Sequence, residues 1–305
     1  MFGNSKDLLG IRDLPKSEII DILDRTVEMK KIIMSKNRRT TDLQGRTVNI
    51  LFYENSTRTR LSFEMGAKMM GSTACNISSS GSSVAKGENL IDTARTIDVM
   101  QTDILIMRHG NSGSAHLVAK NVNASVINGG DGMNEHPTQA LYDAYTIRDK
   151  KGDFKGLKVV IVGDISHSRV ARSNIWLLNK MGANVSICGP KTLIPAQIEQ
   201  MGVKVYNDVE KALDGADVVM GLRIQLERQK GGFFPNVDEY AKVWGIDEER
   251  LKLAAPDAIV MHPGPVNREV EITSFVYECE QSVIDEQVTN GVALRMGLMK
   301  KAIER

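Results

Sequence analysis

Cysteine is scarce: Cys75, Cys188 and Cys279 are odd in number and far apart. They form no Cys-x-x-Cys pair, and the five histidines supply no ligand spacing around them, so neither a disulfide framework nor a metal site is expected. Long apolar runs are missing as well. The longest, such as Val159-Val160-Ile161-Val162, fall far short of the roughly 18 residues a membrane span requires. Charge of one sign is also missing. Lys+Arg is 39 and Asp+Glu is 38, a formal net charge of +1, which is too little excess for a broad nucleic-acid or anionic-membrane surface. Met1 to Gly10 lacks the basic-then-apolar pattern of a secretory signal. Reduced thiols and a cytoplasmic location are therefore expected. A near-zero sum still leaves room for local anion sites, because it conceals clustered arginines.

What is present suits a folded α/β protein. Hydrophobic residues make up 42% of 305, enough for a core, and that length favours two domains of about 150 residues over one. Apolar residues at Ile19, Ile22, Leu23 and Val27 follow a helical period, predicting a helix over 16–34. Strands are predicted at 48–53, 103–107 and 124–128, with helices at 61–70, 87–100 and 114–121 between and after them. A helix begins at Pro137, a residue tolerated in a first turn. The polar, glycine-bearing stretch Lys150 to Lys155 marks a domain boundary. Beyond it, strands at 157–162, 184–188, 203–206, 217–222 and 258–261 alternate with helices at 169–181, 195–201 and 209–213, and a helix over 291–305 closes the chain. Such alternation predicts two doubly wound domains, each a parallel sheet covered on both faces. Ligands of such sheets bind outside the carboxyl ends of the strands, so the polar turns there are the candidate sites.

The turn after the first strand reads Glu54-Asn55-Ser56-Thr57-Arg58-Thr59-Arg60. Serine and threonine are ordinary at a helix start, but two arginines oppose the partial positive charge of the helix dipole there. An anion bound by backbone N–H groups, hydroxyls and a guanidinium resolves the conflict. A phosphate would demand further cations, and Arg108, at the end of the strand 103–107, emerges on the same edge. Ser82 and Lys86 lie in a Ser/Gly-rich loop suited to closing over a phosphate or serving a neighbouring subunit. His136-Pro137-Thr138-Gln139 opens the linking helix, where His136 is a candidate donor to a carbonyl oxygen and Gln139 stands one turn on. Gly163 to Arg169 occupies the place of a dinucleotide fingerprint but has one glycine where that motif needs three. Arg223 and Gln225, two apart, face one way if the chain is extended, and a guanidinium beside an amide suits a carboxylate. His262-Pro263-Gly264-Pro265 fixes a rigid backbone whose carbonyls point outward. Each motif alone also has a bland reading as a cap, a solvated surface group or a tight turn.

Together they are not bland. Ser56-Thr57-Arg58-Thr59-Arg60 followed by Leu61-Ser62-Phe63-Glu64 resembles the carbamoyl phosphate motif of the aspartate/ornithine carbamoyltransferases, and His136-Pro137-Thr138-Gln139 resembles their second signature. The resemblance covers essentially the whole chain, with motifs in family order. Ser82 with Lys86-Gly87-Glu88, and Arg223-Ile224-Gln225 with Glu227-Arg228, resemble the aspartate members. The late His-Cys-Leu-Pro motif typical of ornithine members is replaced by His262-Pro263-Gly264-Pro265. The resemblance implies a carbamoyl phosphate-binding domain of residues 1–134 plus 291–305 and an aspartate-binding domain of residues 135–290, with the active site in the cleft between them. It implies a phosphate held by Ser56, Thr57, Arg58, Thr59 and Arg108, and a carbonyl oxygen polarised by Thr59, Arg108 and His136. Gln139 and the carbonyls of Pro263 and Gly264 would hold the carbamoyl amino group. Lys86, Arg169, Arg223 and Gln225 would hold L-aspartate. Ser82 and Lys86 would come from an adjacent subunit of a homotrimer, and Glu54 would pair with Arg169 or Arg228 on closure. No cofactor is implied, and a regulatory chain is a possible partner. The rival readings are a carbamoyltransferase for ornithine or a related amine and a catalytically silent scaffold subunit.

Overall fold

The computed structural model describes residues 2–78, 87–225 and 236–304. The chain divides into two compact units, residues 1–145 with 288–305, and residues 146–287. Each is built on one parallel sheet.

In the first unit the order of elements is α1 (Lys16–Met34), β1 (Thr47–Phe52), α2 (Thr57–Met69), β2 (Thr73–Ser78), α3 (Leu90–Val99), β3 (Ile104–His109), α4 (Ser114–Ala119) and β4 (Ser125–Asp131), followed by the start of α5 (Pro137–Lys151). The strands lie in the order β2-β1-β3-β4, all parallel. The side chains of β4 are all buried, as are those of β1 after its first residue, the pattern of a sheet covered on both faces. One core cluster joins Leu51, Leu105, Met107 and Val126 of the sheet to Ala94, Ile97, Ala115 and Val118 of the helices.

The second unit continues with β5 (Lys158–Val162), α6 (Arg169–Met181), β6 (Asn184–Cys188), β7 (Lys204–Tyr206), α7 (Val209–Leu213), β8 (Val218–Gly221), α8 (Val237–Trp244), α9 (Glu248–Leu251), β9 (Ile259–Met261) and α10 (Ser274–Glu278). Its sheet order is β7-β6-β5-β8-β9, again all parallel. The last helix, α11 (Ile284–Ile303), runs mostly in the first unit. Two parallel-sheet α/β units are the fold class expected.

The elements differ from the sequence expectation in five places, one being that α11 starts at Ile284 and not at 291. Helix α2 begins at Thr57, so Thr57, Arg58 and Thr59 occupy its first turn and not a preceding loop. Strand β2 was not foreseen; it is the sheet edge and half polar, so apolar alternation does not announce it. The helix expected at 195–201 is reduced to 3-10 turns at Lys191–Leu193 and Ile198–Met201. Short helices α8, α9 and α10 were missed, each being too brief to show a period. Among the described residues no helix is long and apolar enough to cross a membrane, and no group of three or more His, Cys, Asp or Glu is placed to hold a metal ion.

Candidate active site

The first unit's site is built at the carboxyl ends of β1, β3 and β4. Helix α2 starts immediately after β1. Asn89, Ser168, Asp208, Asn236, Asp247 and Thr273 each cap their helix with a side-chain hydrogen bond, whereas Ser56, at the N-cap of α2, makes none. The opening N–H groups of α2 are thus left uncapped by that hydroxyl, at the positive end of the helix dipole. Thr59 is buried at 6% exposure, while Thr57 and Arg58 are exposed.

Arg108 stands where the pairing of β3 with β4 slips. The register runs Met107↔Asn128 and then His109↔Asp131, so β4 accommodates an extra residue beside Arg108. Such an irregularity re-aims a side chain at a strand end. The backbone stays tied to β1, since Tyr53 N–H donates to the Arg108 carbonyl at 2.9 Å. The guanidinium has three polar neighbours. Nη1 donates to the Gly129 carbonyl at 3.2 Å, Nη1 lies 3.5 Å from His136 Nε2, and Nε lies 3.3 Å from Glu54 Oε2. Glu54, expected to reach Arg169 or Arg228, thus finds a partner in Arg108 of its own unit; Arg228 lies outside the described residues.

His136 is 3% exposed, with Nδ1 3.4 Å from Thr138 Oγ1. The approach to it is rigid. Asp131 accepts from Gly113 N–H at 2.7 Å, Asn128 Nδ2 at 2.8 Å and Glu135 N–H at 3.2 Å. Glu135 in turn accepts from the N–H groups of Ile11 at 2.7 Å and Arg12 at 3.2 Å. One turn into α5, Gln139 is buried against Asp143 and Tyr142. Burial pushes the Tyr142 phenol well above its usual range; the Asp143 charge adds to this, and Arg295 and Arg58 pull the other way. The first-turn arginine of α2 thus exerts a charge effect on Tyr142, one turn from Gln139 on α5. Two motifs remote in sequence meet in one unit.

In the second unit the polar turns again follow strands. After β5, Gly163 adopts a φ of +137°, and a Cβ there would lie 2.9 Å from the Leu222 carbonyl oxygen. This glycine serves close approach between strand ends, without the further glycines a dinucleotide would need. Asp164 is fully buried and accepts from His167, whose Nδ1 lies 2.8 Å from Oδ1. Arg169 is the first residue of α6 and is 3% exposed. Past β8, Leu222 and Ile224 are buried while Arg223 and Gln225 are half-buried, the alternation of an extended segment. After β9, the His262 Nδ1 accepts from Gly264 N–H at 2.9 Å. Gly264 has a φ of +60°, a conformation that favours glycine.

Glu271, which no motif pointed to, ties the last two segments together. Its Oε1 accepts from Ile224 N–H at 2.9 Å and Asn267 Nδ2 at 2.7 Å, and its Oε2 accepts from Asn267 N–H at 2.7 Å. Burial raises its carboxyl above the usual range despite those donors. A glutamate at that spacing carries no local signature, so only the fold discloses it. Ser82, Lys86, Glu227 and Arg228 lie outside the described residues.

A site of arginines, hydroxyls and a buried histidine at strand ends is that of an enzyme binding a small anion, and known proteins define the class. Residues 6–149 match the family described as aspartate/ornithine carbamoyltransferase, carbamoyl-P binding domain, and residues 155–301 match its Asp/Orn binding domain. The chain belongs to the aspartate/ornithine carbamoyltransferase family. Within it, the chain is 64% identical over 295 residues to the aspartate carbamoyltransferase catalytic subunit of Ruminiclostridium cellulolyticum, covering 97% of this chain and 94% of that one. Among solved structures it resembles the catalytic subunit of M. jannaschii aspartate transcarbamoylase, with a TM-score of 0.85, 37% identity and 98% of each chain covered. It also resembles Trypanosoma cruzi aspartate transcarbamoylase in complex with carbamoyl aspartate and phosphate, with a TM-score of 0.88, 26% identity, and 98% and 97% of the two chains covered.

Proposed function

We propose that this chain transfers the carbamoyl group of carbamoyl phosphate to the α-amine of L-aspartate, giving N-carbamoyl-L-aspartate and phosphate, in pyrimidine biosynthesis. The observation that carries the reading is the placement of Arg108 against His136 at 3.5 Å, with the Gly129 carbonyl accepting from the guanidinium and the Glu54 carboxylate beside it.

In this reading the phosphate takes the uncapped N–H groups of α2, the hydroxyls of Ser56, Thr57 and Thr59, and the guanidinium groups of Arg58 and Arg108. A carbonyl oxygen entering beside the pair accepts from Arg108, from Thr59 and from an Nε2-protonated His136. The carbon becomes electrophilic, and the neutral α-amine of L-aspartate attacks it. The tetrahedral intermediate carries its charge on that oxygen, where each aimed donor lowers the barrier by about 3 kcal/mol, and it then expels phosphate. Gln139 and the carbonyls of Pro263 and Gly264 accept from the carbamoyl amino group. Arg169, Arg223 and Gln225, with Lys86, bind the two carboxylates of L-aspartate. Ser82 and Lys86 come from the adjacent subunit of a homotrimer in the cytoplasm.

The test is a side-by-side assay of the purified chain with carbamoyl phosphate and either L-aspartate or L-ornithine. Phosphate release with N-carbamoyl-L-aspartate formation is expected with aspartate alone. Turnover of ornithine alone would reassign the second substrate, and turnover of neither would leave a scaffold subunit.

A further inference from the structure

Gln139 is read above as an acceptor for the carbamoyl amino group, and the inference rests on that reading. A glutamine amide has a donor end and an acceptor end of nearly equal size. Its residue type alone leaves open which end meets the substrate. Here the neighbours choose. Gln139 is 4% exposed, its Nε2 donates to Asp143 Oδ1 at 3.0 Å, and its Oε1 accepts from the Tyr142 hydroxyl. A carboxylate offers acceptors only, so a flipped amide would set oxygen against oxygen in a buried place.

Both neighbours are themselves held in role. The phenol of Tyr142, kept protonated by burial, remains a donor. Asp143 is fully buried, and its charge acts on Arg295, itself 4% exposed. The Arg295 guanidinium lies over the rings of Phe63 at 4.9 Å and Tyr142 at 5.2 Å, and Nη1 donates to the Gly291 carbonyl at 3.1 Å. Phe63 is on α2, Tyr142 and Asp143 on α5, and Arg295 on α11, so the α5 neighbours of the amide are backed by residues of two further helices. An amide oxygen accepts two hydrogen bonds, and Tyr142 supplies one.

We propose that Asp143, Tyr142 and Arg295 are positioning residues that lock the Gln139 amide with its oxygen toward the substrate, making the site selective for an acyl phosphate bearing an N–H donor. Acetyl phosphate is the probe, because it keeps the acyl phosphate and replaces the amino group by a methyl.

The experiment measures binding of carbamoyl phosphate and acetyl phosphate to the full-length protein and to three variants, with thermal unfolding in parallel. Gln139→Ala should weaken carbamoyl phosphate about tenfold and acetyl phosphate less than about twofold. Asp143→Asn, whose amide tolerates either orientation of Gln139, should give the same split. Tyr142→Phe retains the ring under Arg295 and loses only the hydroxyl; it should give the split at roughly three- to fivefold, and it carries the test if Asp143→Asn fails to fold. Should Gln139→Ala discriminate between the phosphates while the folded neighbour variants weaken both equally or neither, the positioning role is wrong and the reading of Gln139 stands. Should Gln139→Ala itself fail to discriminate, the reading of Gln139 falls and the inference with it.

Discussion

The Arg108 guanidinium is oriented by its hydrogen bond to the Gly129 carbonyl, with His136 and Glu54 beside it. That pre-organisation matters because directed donors that need no rearrangement stabilise a developing charge most. Arg108→Ala should lower kcat/KM by about 10²–10³ or more while leaving the unfolding temperature near that of the parent. Arg108→Lys keeps the charge but replaces the planar fork with a point charge, and should lose about tenfold or more. Steady-state kinetics with circular dichroism melts check both; a lysine variant of parental activity would show that charge alone suffices. None of the three partners of Arg108 is its neighbour in sequence, so its type was legible and its aim was not. Glu271 was not legible even by type; its carboxylate sets the backbone between Arg223 and Gln225 through Ile224.

Helices deliver these side chains, and their docking has its own chemistry. Helix α11 is pinned to α1 by Lys301, 6% exposed, whose ammonium lies 2.8 Å from Glu18 and 2.6 Å from Asp21. Burial alone would raise both carboxyls, but the Lys301 ammonium, joined by the Gly3 backbone at Glu18 and by Arg25 at Asp21, prevails and leaves them below their usual range. A carboxyl depressed in the folded state adds stability above its unfolded pKa, and that stability is lost as pH falls through the folded value. Lys301→Met should therefore cost on the order of 1–2 kcal/mol near neutrality, part of it screened at the half-exposed Asp21. The gap from the parent should close as pH falls below about 4. Denaturant unfolding across pH measures it, and a gap constant with pH would assign the loss to packing.

At the scale of the molecule, two parallel sheets each present polar turns at their carboxyl edges, and the two family matches, 6–149 and 155–301, fall one on most of each unit. The homotrimer proposed above, with Ser82 and Lys86 donated by a neighbour, leads to a mixing experiment. Arg58→Ala and Lys86→Ala, each inactive alone, should regain part of the parental turnover when co-assembled, because some sites then hold an intact Arg58 and an intact Lys86. Hybrid oligomers lacking any activity would show that each chain completes its own site.

The sequence by itself determined the alternation of strands and helices, the parallel sheets and the residue types of the site. Burial on both faces of β1, β3 and β4 writes itself as short apolar runs, and anion binding writes itself as Ser56 to Arg60 at a helix start. Those signals are local, within a strand or a turn. Edge strand β2 escaped because an exposed, half-polar strand has no such pattern, and α8, α9 and α10 because they are too short to repeat one. Only the tertiary structure decided that Arg108 meets His136, that Glu54 turns to Arg108, that Glu271 holds Ile224, and that the Gln139 amide has one orientation. Those choices depend on register and on donors and acceptors brought together from distant segments, which composition and spacing along the chain do not encode.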